Sequence, residues 1–312
     1  MKFLVLGSAG QIGSALVPYL QHRGHVVFRF DIVDSPEEDL RLADNGLLND
    51  RISHADFVMF LAFDVGGSRY LREYQHSFDF ISNNARIMEN TFSVLKRFKT
   101  PFLFASSQMS NMSYSPYGVL KAVGQSYTKA LGGLIVKFWN VYGMERDPEK
   151  AHVITDFIVK ARNTGVIDML TDGQEQRQFL HADDCSEALT ILSGKYDDIP
   201  RDQELHITTF EWHTILDVAK YVAELYPGTV IFPGRAVDDV QKDKRNEPDP
   251  FILNYWKPQT SLKAGIRKVN EQMQALFQDG TIGMTARIVP TPPSRSAKAQ
   301  VHEVTEDVTT EP

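Results

Sequence analysis

Short runs of consecutive apolar residues recur along the first half of the chain, separated by longer segments with helical spacing. Consecutive apolar positions over five or six residues are typical of strands that are buried on both faces of a sheet. The runs are KFLVL at 2–6, VVFRF at 26–30, FVMFLA at 57–62, FLFAS at 102–106 and LIVKF at 134–138. The pattern predicts five buried strands.

The segments between the runs have the spacing of amphipathic helices. Apolar residues at positions 12, 15, 16 and 20 share one helical face, and a similar stripe covers 87–95. Strands that alternate with helices form parallel βαβ units, so we expect an α/β fold with a doubly wound parallel sheet of the Rossmann type. Pro18 inside the first helix removes a backbone hydrogen bond, which predicts a local kink.

After residue 140 the pattern becomes mixed, with helices predicted near 152–163 and 212–225 and a strand at 205–209. The last residues are rich in Pro, Ser, Thr and charge, and cannot bury enough apolar area to offset the entropy of ordering. We therefore predict three parts: a parallel α/β domain at 1–140 with a return segment near 178–209, a smaller mixed α/β lobe at 141–284, and a disordered tail at 285–312.

The composition is that of an ordinary globular protein. Of 312 residues, 42% are hydrophobic and 23% are charged, which excludes a wholly disordered or collagen-like chain. With 33 basic and 40 acidic residues the formal net charge is −7, so neither nucleic acid nor an anionic membrane is an expected partner. The N-terminal run is predicted to be a strand and not a signal peptide, and the apolar runs are far shorter than the roughly 20 residues that span a bilayer.

The chain has a single cysteine, Cys185. One cysteine allows neither an internal disulfide nor a cysteine-based zinc site, and it fits a reducing compartment. We therefore expect a cytoplasmic protein. The spacing of His, Cys and carboxylate residues suggests no metal site.

Three glycines follow the first strand and open the first helix: Gly7, Gly10 and Gly13. Glycine allows a tight turn and lets backbone N–H groups and a helix N-terminus approach a pyrophosphate. Asp31 stands at the end of the second strand, where a carboxylate can accept the ribose hydroxyls and repel a 2′-phosphate. The sequence thus predicts that the domain at 1–140 binds a dinucleotide and that the lobe at 141–284 mainly binds substrate. It favours NAD over NADP, although Arg29 lies nearby. The alternative is an ordinary turn beside a surface carboxylate.

Ser107 closes the fourth strand, and Tyr117 and Lys121 follow it. Residues four apart on a helix share one face, so an ammonium group can stabilise the tyrosinate of a phenol that is otherwise a poor base at neutral pH. A serine hydroxyl at a strand end can hydrogen-bond the reacting oxygen, so the three predict a proton-transfer unit. The alternative is a pair of helix-surface residues.

The GxxGxxG spacing, together with this trio, resembles the extended short-chain dehydrogenase/reductase family, whose members often act on nucleotide sugars; the resemblance covers residues 1 to about 280. It implies an NAD cofactor and a catalytic role for the trio. Besides the glycines, the trio's Tyr117 and Lys121, and Asp31, the cofactor-binding residues that it implies are Gln11, Ile12, Asp39, Leu40, Leu61, Ala62 and Asn84. Of these residues, Asp39 and Leu40 would lie at the edge of the adenine. Arg41 follows them and, like Arg29, is close enough in sequence to weaken the preference for NAD over NADP.

In the resembling family the tyrosine removes a proton from a sugar hydroxyl as hydride passes to NAD. Dehydratases and decarboxylases of that family carry carboxylates directly after the serine or in that segment, whereas this chain has Gln108 and Met109. We therefore expect a nucleotide-sugar epimerase that inverts C4 through a transient 4-keto intermediate. A 4-keto sugar reductase stays open, as does a non-catalytic dinucleotide-binding protein on the same fold.

The substrate implied by the resemblance is a nucleotide-diphosphate sugar. Its phosphates would meet Asn140 in KFWNVYG, Arg177 in RQFLHADD and Arg245, because two arginines suit a partly desolvated diphosphate. Ser107 would also contact the sugar. Family helices matching 84–97 and 117–131 pair across a two-fold axis, which implies a homodimer.

Two departures concern the sugar pocket. Only nine residues separate Ser107 from Tyr117, fewer than in most relatives. The pair Gly66 and Gly67, which the resemblance implies to be substrate-binding, is similar to a pair in GDP-sugar 3,5-epimerases and GDP-fucose synthases. Those enzymes, however, use an acid/base cysteine near the place of Met109. Double inversion at C3 and C5 is therefore not expected.

Overall fold

The computed structural model describes residues 1–145, 151–238, 240–241 and 246–278. The strands within them are β1 (Lys2–Leu6), β2 (Val26–Phe30), β3 (Phe57–Phe60), β4 (Phe102–Ser107), β5 (Leu134–Phe138), β6 (Asn140–Tyr142), β7 (Val166–Asp168), β8 (Gln176–Arg177), β9 (Phe179–His181), β10 (Leu205–Ile207), β11 (His213–Thr214) and β12 (Val230–Phe232). The α-helices are α1 (Gln11–His22), α2 (Gly46–His54), α3 (Ser68–Tyr74), α4 (Phe78–Phe98), α5 (Pro116–Leu131), α6 (Val153–Thr164), α7 (Ala182–Gly194), α8 (Ile215–Ala223) and α9 (Leu262–Gln278). Short 3₁₀ helices lie at Pro36–Glu38, Gln108–Asn111, Tyr196–Asp198 and Pro250–Asn254.

The main sheet has six strands in the order β10-β5-β4-β3-β1-β2, and every neighbouring pair is parallel. The predicted doubly wound parallel sheet is confirmed. Strand order reverses at β1, which lies between β2 and β3, and open sheets of this kind bind ligands at the carboxyl ends of the strands beside such a reversal.

Alternation along the strands divides the core between the two faces of the sheet. In β1, Phe3 and Val5 face a cluster that includes residues of α1 and α7, while Leu4 and Leu6 face a second cluster with residues of α2, α4 and α5. Cys185 of α7 is fully buried in the first cluster. Helices on both faces explain why the central strands are apolar at consecutive positions.

A smaller mixed α/β lobe is built from three two-stranded pairs, β6 with β9, β7 with β12 and β8 with β11. Its own core joins α6, α8 and α9 around residues such as Phe157, Val218 and Ile266. The strand β10 lies after this lobe begins in sequence yet pairs with β5 at the edge of the main sheet. The chain therefore crosses between the two parts more than once.

Several element ends differ from the sequence prediction. The third run continues as an apolar segment to residue 62, but β3 ends at Phe60, because Leu61 N–H turns to donate to the carbonyls of Leu6 and Met59. The strand predicted at 205–209 ends at residue 207, and the helix predicted at 212–225 covers 215–223 as α8. Helix α1 runs through Pro18 as one element.

The predicted tail at 285–312 lies outside the described residues. Within them, each helix is too short or too polar to cross a membrane. Helices α4 and α5 pack together and leave apolar side chains exposed, namely Ile81, Val119, Val123 and Tyr127. The pairing of these helices across a dimer axis stays a prediction.

Candidate active site

A cleft of about 1030 Å³ opens at the carboxyl ends of the main-sheet strands. Most of the residues predicted to form the site lie in its wall, although they come from five separate segments of the chain. These are Gly7, Gly10, Gln11, Ile12, Gly13, Asp31, Asp39, Leu40, Leu61, Ala62, Gly66, Gly67, Ser107, Tyr117, Lys121 and Asn140.

The glycine-rich turn between β1 and α1 has no room for side chains at two of its glycines. Gly7 has φ +85°, and a Cβ there would lie 2.8 Å from the backbone of Ala62. A Cβ on Gly13 would lie 2.2 Å from the carbonyl oxygen of Gly7. The polar atoms Ser8 Oγ and Gln11 Nε2 are buried here without a hydrogen-bond partner. A narrow turn, a helix N-terminus and unpartnered polar atoms fit a pyrophosphate.

Asp31 lies directly after β2 and is fixed by main-chain N–H groups. Its Oδ2 accepts from Ala9 N at 2.9 Å and its Oδ1 from Val33 N at 3.0 Å. Its own N–H donates to Glu38 Oε2 at 2.8 Å. The Asp31 carboxylate is thus held against the glycine-rich turn, where an adenosine ribose would lie.

The two arginines that could have favoured a 2′-phosphate are each paired with a carboxylate. Arg29 Nη2 lies 2.6 Å from Asp34 Oδ2. Arg41 donates to both oxygens of Asp39, from Nη2 at 2.8 Å and from Nε at 2.9 Å. The hydrogen bond from Arg41 holds the pKa of Asp39 below its usual range. Asp39 therefore lines the cleft as half of an ion pair.

Asn84 lies beneath the cleft and not in its wall. It is fully buried, its Oδ1 accepts from Asp64 N at 2.7 Å, and its Nδ2 donates to Phe80 O at 2.9 Å. The amide fixes the loop that follows β3. Asn84 therefore fixes this loop at Asp64 and does not line the cleft.

Gly66 and Gly67 lie where this loop meets the lobe. A Cβ on Gly66 would lie 2.8 Å from the Tyr70 side chain, and a Cβ on Gly67 would lie 2.7 Å from the carbonyl oxygen of Ala151. The second approach joins the loop to the segment that enters α6. The glycine pair is therefore required by packing, in addition to any contact with a sugar.

Helix α5 places Tyr117 and Lys121 on one face. Its first turn is capped by Ser115, whose Oγ accepts from Gly118 N at 3.2 Å. Lys121 is buried, donates from Nζ to Ala105 O at 2.6 Å and lies 3.7 Å from the ring centroid of Phe63. Burial lowers the pKa of Lys121 to about 7, because a low-dielectric site disfavours the ammonium form.

Ser107 is the last residue of β4, and its Oγ accepts from Met109 N at 3.1 Å. Burial raises the pKa of Tyr117 to about 12, and a hydrogen bond with Ser107 opposes that rise. The Tyr117 ring meets Phe63 edge to face at 5.7 Å. The three predicted catalytic residues thus meet at one end of the cleft, with Ser107 and Tyr117 in direct contact.

The short connection between Ser107 and Tyr117 packs directly onto α5. A Cβ on Gly118 would lie 2.2 Å from Met109 O. Buried Lys137 of β5 donates to Asn111 Oδ1 at 3.3 Å and pairs with Glu204 at 2.5 Å. The connection therefore contains a short 3₁₀ helix, Gln108–Asn111, which Lys137 of the sheet contacts at Asn111.

The predicted phosphate-binding residues are divided between two places. Asn140 lines both the main cleft and a neighbouring pocket of about 280 Å³, and it donates to Gln178 O at 3.2 Å. Arg177 lines only the neighbouring pocket, beside Trp212, and forms an ion pair with Asp238. Arg245 lies outside the described residues.

Glu145 and His152 also line the cleft, and sequence reasoning missed both. His152 Nδ1 lies 2.6 Å from Glu145 Oε1, and His152 N donates to Oε2 at 2.9 Å. Burial disfavours the imidazolium, but the hydrogen bond and charge of Glu145 outweigh it and raise the pKa of His152 above its usual value. A seven-residue separation with no motif gives no sequence signal; the fold places this pair in the same cleft as the trio.

Comparison with known proteins finds curated relatives that are similar to about half of this chain. A putative UDP-glucose 4-epimerase of Methanocaldococcus jannaschii is 29% identical over 51% of this chain and 53% of that protein. A GDP-L-fucose synthase of Sinorhizobium fredii is 25% identical over 52% of this chain and 55% of that protein. The chain thus matches about half the length of these two curated relatives.

Among solved structures, the UDP-glucose 4-epimerase of Thermotoga maritima with UDP-glucose matches with a TM-score of 0.70, at 20% identity, over 89% of this chain and 100% of that chain. This likeness agrees with the fold. The model of the NAD dependent epimerase/dehydratase family matches residues 3–208. The predicted family and the NAD cofactor are confirmed. The chain belongs to the NAD-dependent epimerase/dehydratase family.

Proposed function

We propose that the chain is a nucleotide-sugar epimerase that inverts C4 through a transient 4-keto sugar. The observation that carries this proposal is the meeting of Ser107, Tyr117 and Lys121 at one end of the cleft, where Ser107 is followed in sequence by Gln108 and Met109. An amide and a thioether do not move protons at neutral pH, so the two positions directly after Ser107 offer no acid for dehydration. Inversion at C4 needs none.

Each residue of the trio has a separate role in proton transfer. Tyr117 removes the proton of the C4 hydroxyl and returns it to the carbonyl oxygen when the other face is reduced. Lys121, four residues away on α5, favours the tyrosinate, and the tyrosinate in turn favours the ammonium, because each supplies the charge that the other lacks in a buried site. Ser107 hydrogen-bonds the reacting oxygen. NAD, when bound beside them, supplies reversible hydride transfer.

The substrate that we propose is a nucleotide-diphosphate sugar, in line with the UDP-glucose named for the relatives. Asn140 joins the main cleft to the neighbouring pocket, so a diphosphate that passes it would reach Arg177. Asp238 pairs with Arg177 in the structure. A bound diphosphate would therefore compete with Asp238 for the guanidinium group.

The test is a product assay with UDP-, GDP-, CDP- and dTDP-sugars, with and without added NADH, resolved by chromatography and mass detection. The proposal expects a new peak of unchanged mass without added NADH. Turnover only with a 4-keto sugar and NADH would make the chain a reductase. Dinucleotide binding with no turnover of any sugar would favour the non-catalytic alternative.

The pair Glu145 and His152 favours a second candidate reaction, inversion at a carbon next to the 4-keto group. Neutral His152 would remove the proton of that carbon, the electron pair would move onto the carbonyl oxygen beside Tyr117, and a proton from solvent would enter on the opposite face.

Deuterium oxide separates the two reactions. Inversion at C4 returns the same hydrogen to carbon, so the product keeps its mass. Inversion next to the ketone incorporates one deuteron. His152→Gln would abolish that incorporation, while NAD would still oxidise C4 with Tyr117 as the base. A product without deuterium in both proteins contradicts the second candidate and leaves the first intact.

A further inference from the structure

The adenosine end of the cleft contains a second carboxylate that the glycine-rich motif does not include. We propose that Glu38 is a specificity-determining residue that acts with Asp31 to select NAD against NADP. The proposal concerns cofactor binding alone, so it stands or fails independently of the reaction proposed for the sugar.

Glu38 reaches Asp31 because the chain folds back on itself after β2. The carbonyl oxygen of Asp31 accepts from Asp34 N at 3.0 Å and from Ser35 N at 3.2 Å, and Ser35 caps the 3₁₀ turn Pro36–Glu38 by accepting from Glu37 N. This turn brings Glu38 Oε2 to 2.8 Å from Asp31 N. Both acidic side chains line the cleft.

The two arginines that line this end of the cleft, Arg29 and Arg41, do not pair with Asp31 or Glu38. Arg29 pairs with Asp34, and Arg41 pairs with both oxygens of Asp39. The hydrogen bonds that the structure shows for the side chains of Asp31 and Glu38 come from main-chain N–H groups. Among the described residues that line this end, the arginines are therefore neutralised pairwise, while Asp31 and Glu38 keep two negative charges.

A second negative charge matters most for a ligand that brings a phosphate. The 2′-phosphate of NADP carries nearly two negative charges at neutral pH, whereas the 2′-hydroxyl of NAD is neutral and donates a hydrogen bond. Repulsion at about 5 Å in a partly solvated site corresponds to about a tenfold change in affinity per charge. Asp31 alone would repel the phosphate, and the negative charge of Glu38 would add to that repulsion.

The test compares NAD⁺ and NADP⁺ binding to the full chain, freed of bound dinucleotide, by calorimetry and without any sugar nucleotide. Glu38→Gln keeps an oxygen that can accept from Asp31 N but removes the charge. We expect the dissociation constant for NADP⁺ to fall about tenfold, that for NAD⁺ to change less than about threefold, and the difference between the two proteins to shrink at high salt.

Glu37→Gln is the matched control. It removes the same charge from the same 3₁₀ turn, but Glu37 does not line the cleft, so the NADP⁺ to NAD⁺ ratio should be unchanged. Equal ratios in Glu38→Gln and the unaltered protein overturn the proposal, as does an equal gain in Glu37→Gln. Glu38→Asp, which restores the charge, should return the preference for NAD⁺; failure to do so also overturns it.

Discussion

The two ends of the cleft handle charge in opposite ways. At the adenosine end, Asp31, Glu38 and Asp39 remain partly exposed and are fixed by main-chain N–H groups or by an arginine. At the reacting end, Lys121 is buried under the ring of Phe63, and burial shifts the pKa values of Lys121 and Tyr117.

The difference follows from what each end has to do. Binding and selecting a dinucleotide need charges of fixed sign, and the carboxylates at the adenosine end remain partly exposed to solvent. Proton transfer needs groups that change charge, and burial lowers the pKa of Lys121 to about 7. One cleft thus combines a solvated acidic end with a buried proton-transfer end.

The largest expected effect comes from removing the proton-transfer group alone. Tyr117→Phe keeps the ring that meets Phe63 but has no hydroxyl, so we expect turnover to fall about 10³-fold. The dissociation constant for NAD⁺ should change less than about threefold. Steady-state kinetics and calorimetry measure the two quantities.

Tyr127→Phe provides the control for that variant, because Tyr127 lies on the exposed side of α5 and donates to Glu89. It should retain full turnover. If Tyr117→Phe is as active as Tyr127→Phe, the proton-transfer role assigned to the reacting end of the cleft is wrong.

The next effect is at the binding end. In Gly13→Ala the new Cβ would lie 2.2 Å from Gly7 O, so the turn must open, at a cost of about 1–3 kcal/mol. We expect NAD⁺ affinity to fall about 10- to 100-fold. Gly46→Ala, where a Cβ meets nothing within 4 Å, should bind NAD⁺ normally; a loss of affinity in both would show a general loss of folding instead.

The smallest effect is the pH dependence of stability that buried Lys121 causes. The folded protein protonates Lys121 only below about pH 7, whereas the unfolded chain keeps it protonated to about pH 10.4. Between these values the unfolded state binds the extra proton, so the free energy of unfolding rises with pH by no more than about 1.4 kcal/mol per pH unit.

Lys121→Met removes that contribution. Denaturant unfolding of the cofactor-free protein between pH 7 and 8 should therefore show a steeper rise for the unaltered protein than for Lys121→Met. Parallel curves would mean that Lys121 is solvated in the folded protein, and the contrast between the two ends would disappear.

Sequence reasoning predicted the parts of the site that local patterns encode. Gly7, Gly13 and Asp31 follow from a strand, a turn and a helix in direct succession, and Tyr117 and Lys121 follow from helical spacing. The sequence did not show which role Asn84 has. An asparagine can hydrogen-bond a loop from beneath or face a ligand, and only tertiary packing distinguishes the two. The pairing of Arg177 with Asp238, 61 positions apart, has no local pattern at all.

The sequence by itself determined the alternation of strands and helices, the family motif and the residue types of the trio, because these depend on neighbours along the chain. Tertiary structure decided which polar groups are desolvated, which arginines are already paired, and that Glu38 and His152 enter the cleft. Those properties depend on distances between segments remote in sequence, and electrostatic energies change with a few ångströms of separation and with burial.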